Sequence, residues 1–258
     1  MKSAKLNNTL LELKQIVKKL RSPNGCDWDK QQTHSSLIPY LIEETYEVVE
    51  AIENRNYKDL KEELGDLLLH IVFQADLSDE ENKFTLEDCL ESINNKLVKR
   101  HAHIFYDENE SGYSKGNWES SKQEEKQRES ILDGIPKALP ALLKANRIQE
   151  KAASAGFDWN EKEEVLLKVD EELDELKEAI SQNKGIEEEL GDLFFSLVNL
   201  SRHLNINPEK SLNSAINKFS SRFKKIEKDL KTKNIDMKDL PLDQLDDLWE
   251  ENKKKELK

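Results

Sequence analysis

The chain has 258 residues, of which 36% are charged and 36% apolar, with 8 Gly, 6 Pro and a formal net charge of −13. That length suffices for one large or two modest cores, and scarce Gly and Pro favour helices with charged outer faces. The acidity argues against a protein that tracks a nucleic-acid polymer or an anionic membrane, but leaves room for a small phosphate ligand held by local cations.

The N-terminal stretch has no apolar core of signal type, and no apolar run approaches the ~18 residues of a membrane span. A cytoplasmic protein is expected. Apolar positions at Leu6, Leu10, Leu13, Ile16, Val17 and Leu20 predict a helix over 4–21. Turn chemistry at Ser22-Pro23-Asn24-Gly25 ends it, and Cys26-Asp27-Trp28-Asp29 reads as a loop. Neither Cys26 nor Cys89 has a CxxC neighbour, so two reduced thiols are expected. A second helix begins around Ser35, with Leu37, Leu41, Thr45, Val48, Val49 and Ile52 on its apolar face. A third runs from Lys58 to Ala75; it opens acidic, turns apolar at Leu67-Leu68-Leu69-His70-Ile71-Val72-Phe73, and reads as buried all round. Gly65 inside it costs about 1 kcal/mol against Ala, which implies close approach of a neighbouring helix as compensation. A fourth helix covers Thr85 to His101.

Residues 107–134 are polar, with Tyr113, Trp118 and Ile131 among their few large apolar side chains, and read as a linker holding a short helix over 118–130. The pattern then restarts. Helices are expected over 139–153, 161–182, 186–204 and 211–231, and Gly156-Phe157-Asp158-Trp159 matches Cys26-Asp27-Trp28. An acidic helical tail from Leu240 to Trp249 has no counterpart in the first half. The expected organisation is a helical domain over 1–106, a linker over 107–134 and a second helical domain over 135–258.

The repeated elements carry the chemistry. Glu43-Glu44-Thr45-Tyr46-Glu47 is followed by Glu63-Leu64-Gly65-Asp66, and Glu171-Glu172-Leu173-Asp174-Glu175 by Glu189-Leu190-Gly191-Asp192. A single EExxE in a chain with 53 acidic residues is an ordinary solvated face. Its recurrence, each time with ELGD and then Asn-Lys-xxx-Arg, makes duplication a firm inference and the plain reading a poor one. Carboxylates three apart share a helix face, so two packed helices converge four of them. Oxygen-only ligands select a hard cation, Mg²⁺ or else Mn²⁺, and no ExxH occurs to suggest a histidine-containing di-iron bundle. Lys96 with Arg100, and Lys218 with Arg222, stand one turn apart as pairs suited to polyphosphate, and Lys168 precedes Glu172 by one turn. His101 and His103 beside Arg100 read as exposed bystanders, with phosphate binding as the alternative. Trp28 and Trp159 read as plugs of a loop core or as base-stacking groups, and Trp249 as a stacking lid or a simple docking residue.

The ordered set, with CDWDxxQTHxSL before it and KRHAHIF after it in the first half, resembles the MazG family of nucleoside triphosphate pyrophosphohydrolases over nearly the whole chain. The resemblance implies an all-α fold of two tandem MazG-like units, each contributing to a four-helix-bundle assembly, and a homodimer. It implies Mg²⁺-dependent hydrolysis of nucleoside triphosphates to monophosphate and pyrophosphate, by metal-activated water at the α-phosphorus. It implies Glu172, Glu175, Glu189 and Asp192 as metal ligands, and Lys168, Lys218, Arg222 and Trp249 as nucleotide-binding residues. Glu171, beside the ligands, is a further catalytic candidate. The C-terminal unit is the principal site in two-domain members. Glu43, Glu44, Glu47, Glu63, Asp66, Lys96 and Arg100 would form a possible second site. Two alternatives remain open: a non-catalytic helical protein that binds a metal or a regulatory nucleotide, and a phosphoribosyl-nucleotide pyrophosphohydrolase.

Overall fold

The structure, a computed structural model, describes residues 2–105 and 129–256, and every regular element among them is helical. The linker helix expected over 118–130, with Tyr113 and Trp118, lies outside the described residues up to position 128. No described helix is long and apolar enough to cross a membrane. The chain divides into two compact units, Met1–Gly112 and Tyr113–Lys258.

In the first unit α1 (Lys2–Arg21), α2 (Asp27–Gln31), α3 (Ile38–Glu53), α4 (Tyr57–Glu80), α5 (Leu86–Arg100) and the single turn α6 (Ala102–Phe105) follow one another. Helices α3 and α4 pack along each other as a hairpin, and α1 and α5 lean on α4. The hairpin turns through Asn54-Arg55-Asn56, where Arg55 takes a left-handed φ of 53° and the Asn56 side chain caps α4 at the amides of Lys58 and Asp59. Thr85 and Asp88 close a capping box that starts α5. Val17, Leu37, Val72, Phe73, Ala75, Leu77 and Leu86 make the core.

Three expectations are corrected here. Asp27–Gln31 is a short helix and not a loop; five residues are too few to show a period, and Arg21 ties it down through the carbonyls of Asp29 and Gln32. Helix α4 runs on to Glu80 and is buried on one side only. Val72 and Phe73 are buried, whereas Leu64, Leu68 and Ile71 are 40–49% exposed. The third concerns Gly65: a Cβ built there meets no heavy atom within 4 Å, and the same holds at Gly191. Among the described residues of the first unit, the close helix approach expected at Gly65 is therefore not made.

The second unit repeats the plan with α7 (Ala141–Ser154), α8 (Lys162–Gln182), α9 (Ile186–His203) and α10 (Pro208–Thr232), then adds a 3₁₀ turn (Met237–Asp239) and α11 (Leu242–Glu256). Helices α8 and α9 form the hairpin, α7 lies on α9 and α10, and α11 packs along α10. Glu161 and Glu164 box the start of α8, and Asn207 with Pro208 starts α10. The α8–α9 turn is Asn183-Lys184-Gly185, with Asn183 at φ 51° and Gly185 at φ 74°. Two left-handed residues around one turn residue reverse the chain tightly and set α9 against α8 at a fixed height.

Candidate active site

The hairpin turn levels the second half of α8 with the start of α9. There the carboxylate oxygens of Glu172, Glu189 and Asp192 lie within 4.8 Å of one another. Glu172 is buried, Glu189 half-buried and Asp192 exposed, so the cluster has a floor and an open mouth. Glu175 is outside this trio but acts on it. Loss of hydration, then the charges of Glu175, Asp192, Glu188 and Glu172, push the Glu189 carboxyl above the usual range. The acids destabilise one another, and a cation would relieve them.

Lys168 is the cation present. Its ammonium stands 2.7 Å from Glu172 Oε1 and 2.9 Å from Glu171 Oε1. Hydrogen bonds to Glu172 first and Glu171 second raise the lysine well above its ordinary pKa. Glu171 thus sits beside the trio, tied to it through Lys168. Lys218 is exposed on α10. Arg222, one turn further, lays its guanidinium 5.4 Å from the centroid of the Trp249 ring. Trp249 also meets Phe219 at 5.0 Å, so the tail helix is docked by that indole.

The first unit makes the matching cluster from Glu44, Glu47 and Glu63. Burial, then Glu47, Asp66 and Glu63, raise Glu44; loss of hydration, then Glu47 and Asp66, raise Glu63. Asp66 is therefore coupled to its cluster as Glu175 is to the second. Glu43 is exposed, and Lys96 and Arg100 are half-buried on α5. The His101 ring bonds the Leu97 carbonyl at 2.8 Å, and the His103 side chain lies outside what is described.

Beside Glu172 and Asp192 the second unit holds a cavity of about 420 Å³ that sequence reasoning missed. Ile148, Gln149 and Ala152 of α7, Phe157 and Trp159 of the following loop, Val165 and Lys168 of α8, and Phe195, Ser196 and Asn199 of α9 line it. Of these only Trp159 and Lys168 were singled out in advance. Gln and Asn on amphipathic helices look like solvated surface until the fold turns them inward. At the rim Asp158 accepts hydrogen bonds from both amino groups of Arg202 and stands 3.0 Å from His203 Nε2.

The sequence matches the MazG nucleotide pyrophosphohydrolase domain twice, at residues 32–105 and 160–226. It is 49% identical over 244 residues, 94% of each chain, to the nucleoside triphosphate pyrophosphohydrolase/pyrophosphatase MazG of Thermotoga maritima. It is 40% identical over 260 residues to the nucleoside triphosphate pyrophosphohydrolase of Escherichia coli K12, covering 97% of this chain and 99% of that one. Bacillus subtilis YabN is 41% identical over 249 residues, which are 93% of this chain and 51% of YabN. Two matched domains cover more than half of the chain and each spans one acidic hairpin, and two of the relatives are 40–49% identical over nearly its full length: the chain belongs to the MazG nucleotide pyrophosphohydrolase family.

Proposed function

We propose that the protein is a divalent-metal-dependent nucleoside triphosphate pyrophosphohydrolase of the cytoplasm, working as a homodimer with its principal site in the second unit. The observation that carries this is the trio Glu172, Glu189 and Asp192, within 4.8 Å of one another, of which Glu172 and Asp192 also line a cavity. The donor set fits the metal. All donors are carboxylate oxygens, the hard ligands that Mg²⁺ takes, and their spacing suits one ion that keeps some of its waters. The raised Glu189 supports the same reading, since the acids lack sufficient positive charge among themselves.

Bound there, Mg²⁺ supplies Lewis-acid stabilisation of phosphate charge and lowers the pKa of coordinated water. The remaining work falls to the chain. Glu172, Glu189 and Asp192, with Glu175 beside them, hold the ion. Glu171 takes a proton from the attacking water, and Lys168 holds Glu171 in place for it. The water oxygen bonds to the α-phosphorus, the bond from that phosphorus to the bridging oxygen breaks, and pyrophosphate leaves. Arg222, backed by the Trp249 ring, and Lys218 neutralise the departing charge.

The homodimer is supported by apolar side chains exposed on the hairpin of the second unit. Leu173 and Ile180 of α8 and Leu190 and Phe194 of α9 are 39–57% exposed. A folded monomer seldom leaves so continuous a face wet.

Pyrophosphate release from nucleoside triphosphates is expected with Mg²⁺ and is expected to vanish with EDTA. Glu172→Gln and Asp192→Asn should each lower kcat by about a hundredfold or more, with the helical circular dichroism unchanged. Glu44→Ala should keep most of the turnover. Unchanged turnover in both second-unit variants would sink the assignment.

A further inference from the structure

The cavity beside the trio has one feature that packing alone does not explain. Gln149 is 7% exposed, and its Nε2 donates to the Phe195 carbonyl at 2.8 Å. That bond fixes the amide, because the reverse orientation would set two oxygens together. Its Oε1 is buried with no hydrogen-bond partner. An orphaned buried acceptor costs free energy that a donor from a ligand would return. Close by, Asn199 is 5% exposed and its Oδ1 accepts from Arg202 Nε at 3.1 Å and Nη2 at 2.8 Å. Its amide nitrogen is the end left to present. An acceptor and a donor in one cavity, which Trp159 and Phe195 also line, are the complement of a flat ring whose edge carries an N–H and a lone pair. The volume falls in the range of small-ligand sites, about 300–1,000 Å³.

The duplication supplies a control within the same chain. Aligning Asp66 with Asp192 sets Phe73 opposite Asn199, and aligning Trp28 with Trp159 sets Lys18 opposite Gln149. Phe73 is 4% exposed in the core with Val17 and Val72, and the Arg21 guanidinium lies 5.3 Å from its ring centroid. Where the second copy lines a cavity with an amide, the first packs an aromatic ring. The carboxylates were kept in both copies; the amide wall was not.

We propose that this cavity is the nucleobase subsite of the second unit, and that Gln149 Oε1 accepts a hydrogen bond from an N–H on the base edge. The first unit, closed at that place by Phe73, does not select by base. This rests on the pyrophosphohydrolase reading above, and binding and turnover test the two separately.

The binding arm titrates the full-length protein, with Mg²⁺, against non-hydrolysable α,β-methylene nucleoside triphosphates of the four bases and against inorganic triphosphate. Gln149→Met keeps the volume and removes the acceptor; Asn199→Phe copies the first unit. Each is expected to weaken the best nucleotide about tenfold or more relative to triphosphate. Methylating the Watson–Crick N–H of that nucleotide should cost a like factor in the unaltered protein and nothing further in Gln149→Met. Equal loss for nucleotide and triphosphate, or no loss in Gln149→Met with the fold intact by thermal melting, would overturn the subsite. The turnover arm measures pyrophosphate from the natural triphosphates. Base-selective binding without any pyrophosphate would leave the subsite standing and remove the enzymatic reading.

Discussion

Lys168 defines the state in which the carboxylates are seen. Its ammonium satisfies Glu172 and Glu171 but leaves Glu189 strained by its neighbours. One residue nearby has the opposite balance. Hydrogen bonds from Arg202, ahead of the opposing effect of burial, hold Asp158 below the usual carboxylate range. A depressed carboxyl contributes stability that is fully present above the ordinary Asp value, about 3.9, and is lost as pH falls through the depressed one. Asp158→Asn is therefore expected to cost about 1 kcal/mol or less at pH 7. The gap to the parent protein should close as the acid range is entered. Melting curves at pH 7 and pH 3 check this, and an equal gap at both would contradict it. The carboxylates were legible in the sequence because they recur at near-equal spacing in both halves. Gln149 and Asn199 were not. Their signal is a difference between the copies, Asn199 against Phe73, and a search for likeness passes over it.

At the scale of elements, periodicity found the long helices and their order, with ends misplaced by a few residues. It failed on α2, which is too short to have a period, and on the burial of α4. Leu64, Leu68 and Ile71 are apolar and yet exposed, since an apolar stripe says that something will cover it and not which molecule does. The hairpin turn offers a clean test. Gly185 has φ 74°, and an added Cβ meets nothing within 4 Å. Any cost of Gly185→Ala is then purely the left-handed backbone, about 1 kcal/mol. A fall in Tm of about 2–4 °C is expected for a domain of this size. No change would mean that the turn relaxes freely and does not gauge the hairpin.

At the scale of the molecule, the proposed dimer is tested at the exposed apolar side chains of α8 and α9. If a second copy covers them, Phe194→Glu and Ile180→Glu should convert particles of two chains into single chains by light scattering. A parent protein that is already a single chain would refute the proposed dimer. Gly65 and Gly191 stand in helical stretches with open space where a Cβ would be. The sequence showed the glycines and the expectation of a close neighbour, and among the described residues no neighbour stands there.

The two hairpins also record how the duplicated unit has aged. Asn54–Asn56 and Asn183–Gly185 are connections of the same length, although Glu44 and Asp66 are 22 residues apart and Glu172 and Asp192 only 20. The two extra residues were absorbed within the helical arms, three gained where α4 precedes Glu63 and one lost where α3 follows Glu44. The connection has kept its length while its backbone differs, with Arg55 left-handed in one copy and Asn183 and Gly185 in the other, and the arms have been the adjustable members. A single inserted residue turns a helix by about 100°. The joint kept its three residues in both copies, and it is where insertions are expected to be rarest among descendants of this unit.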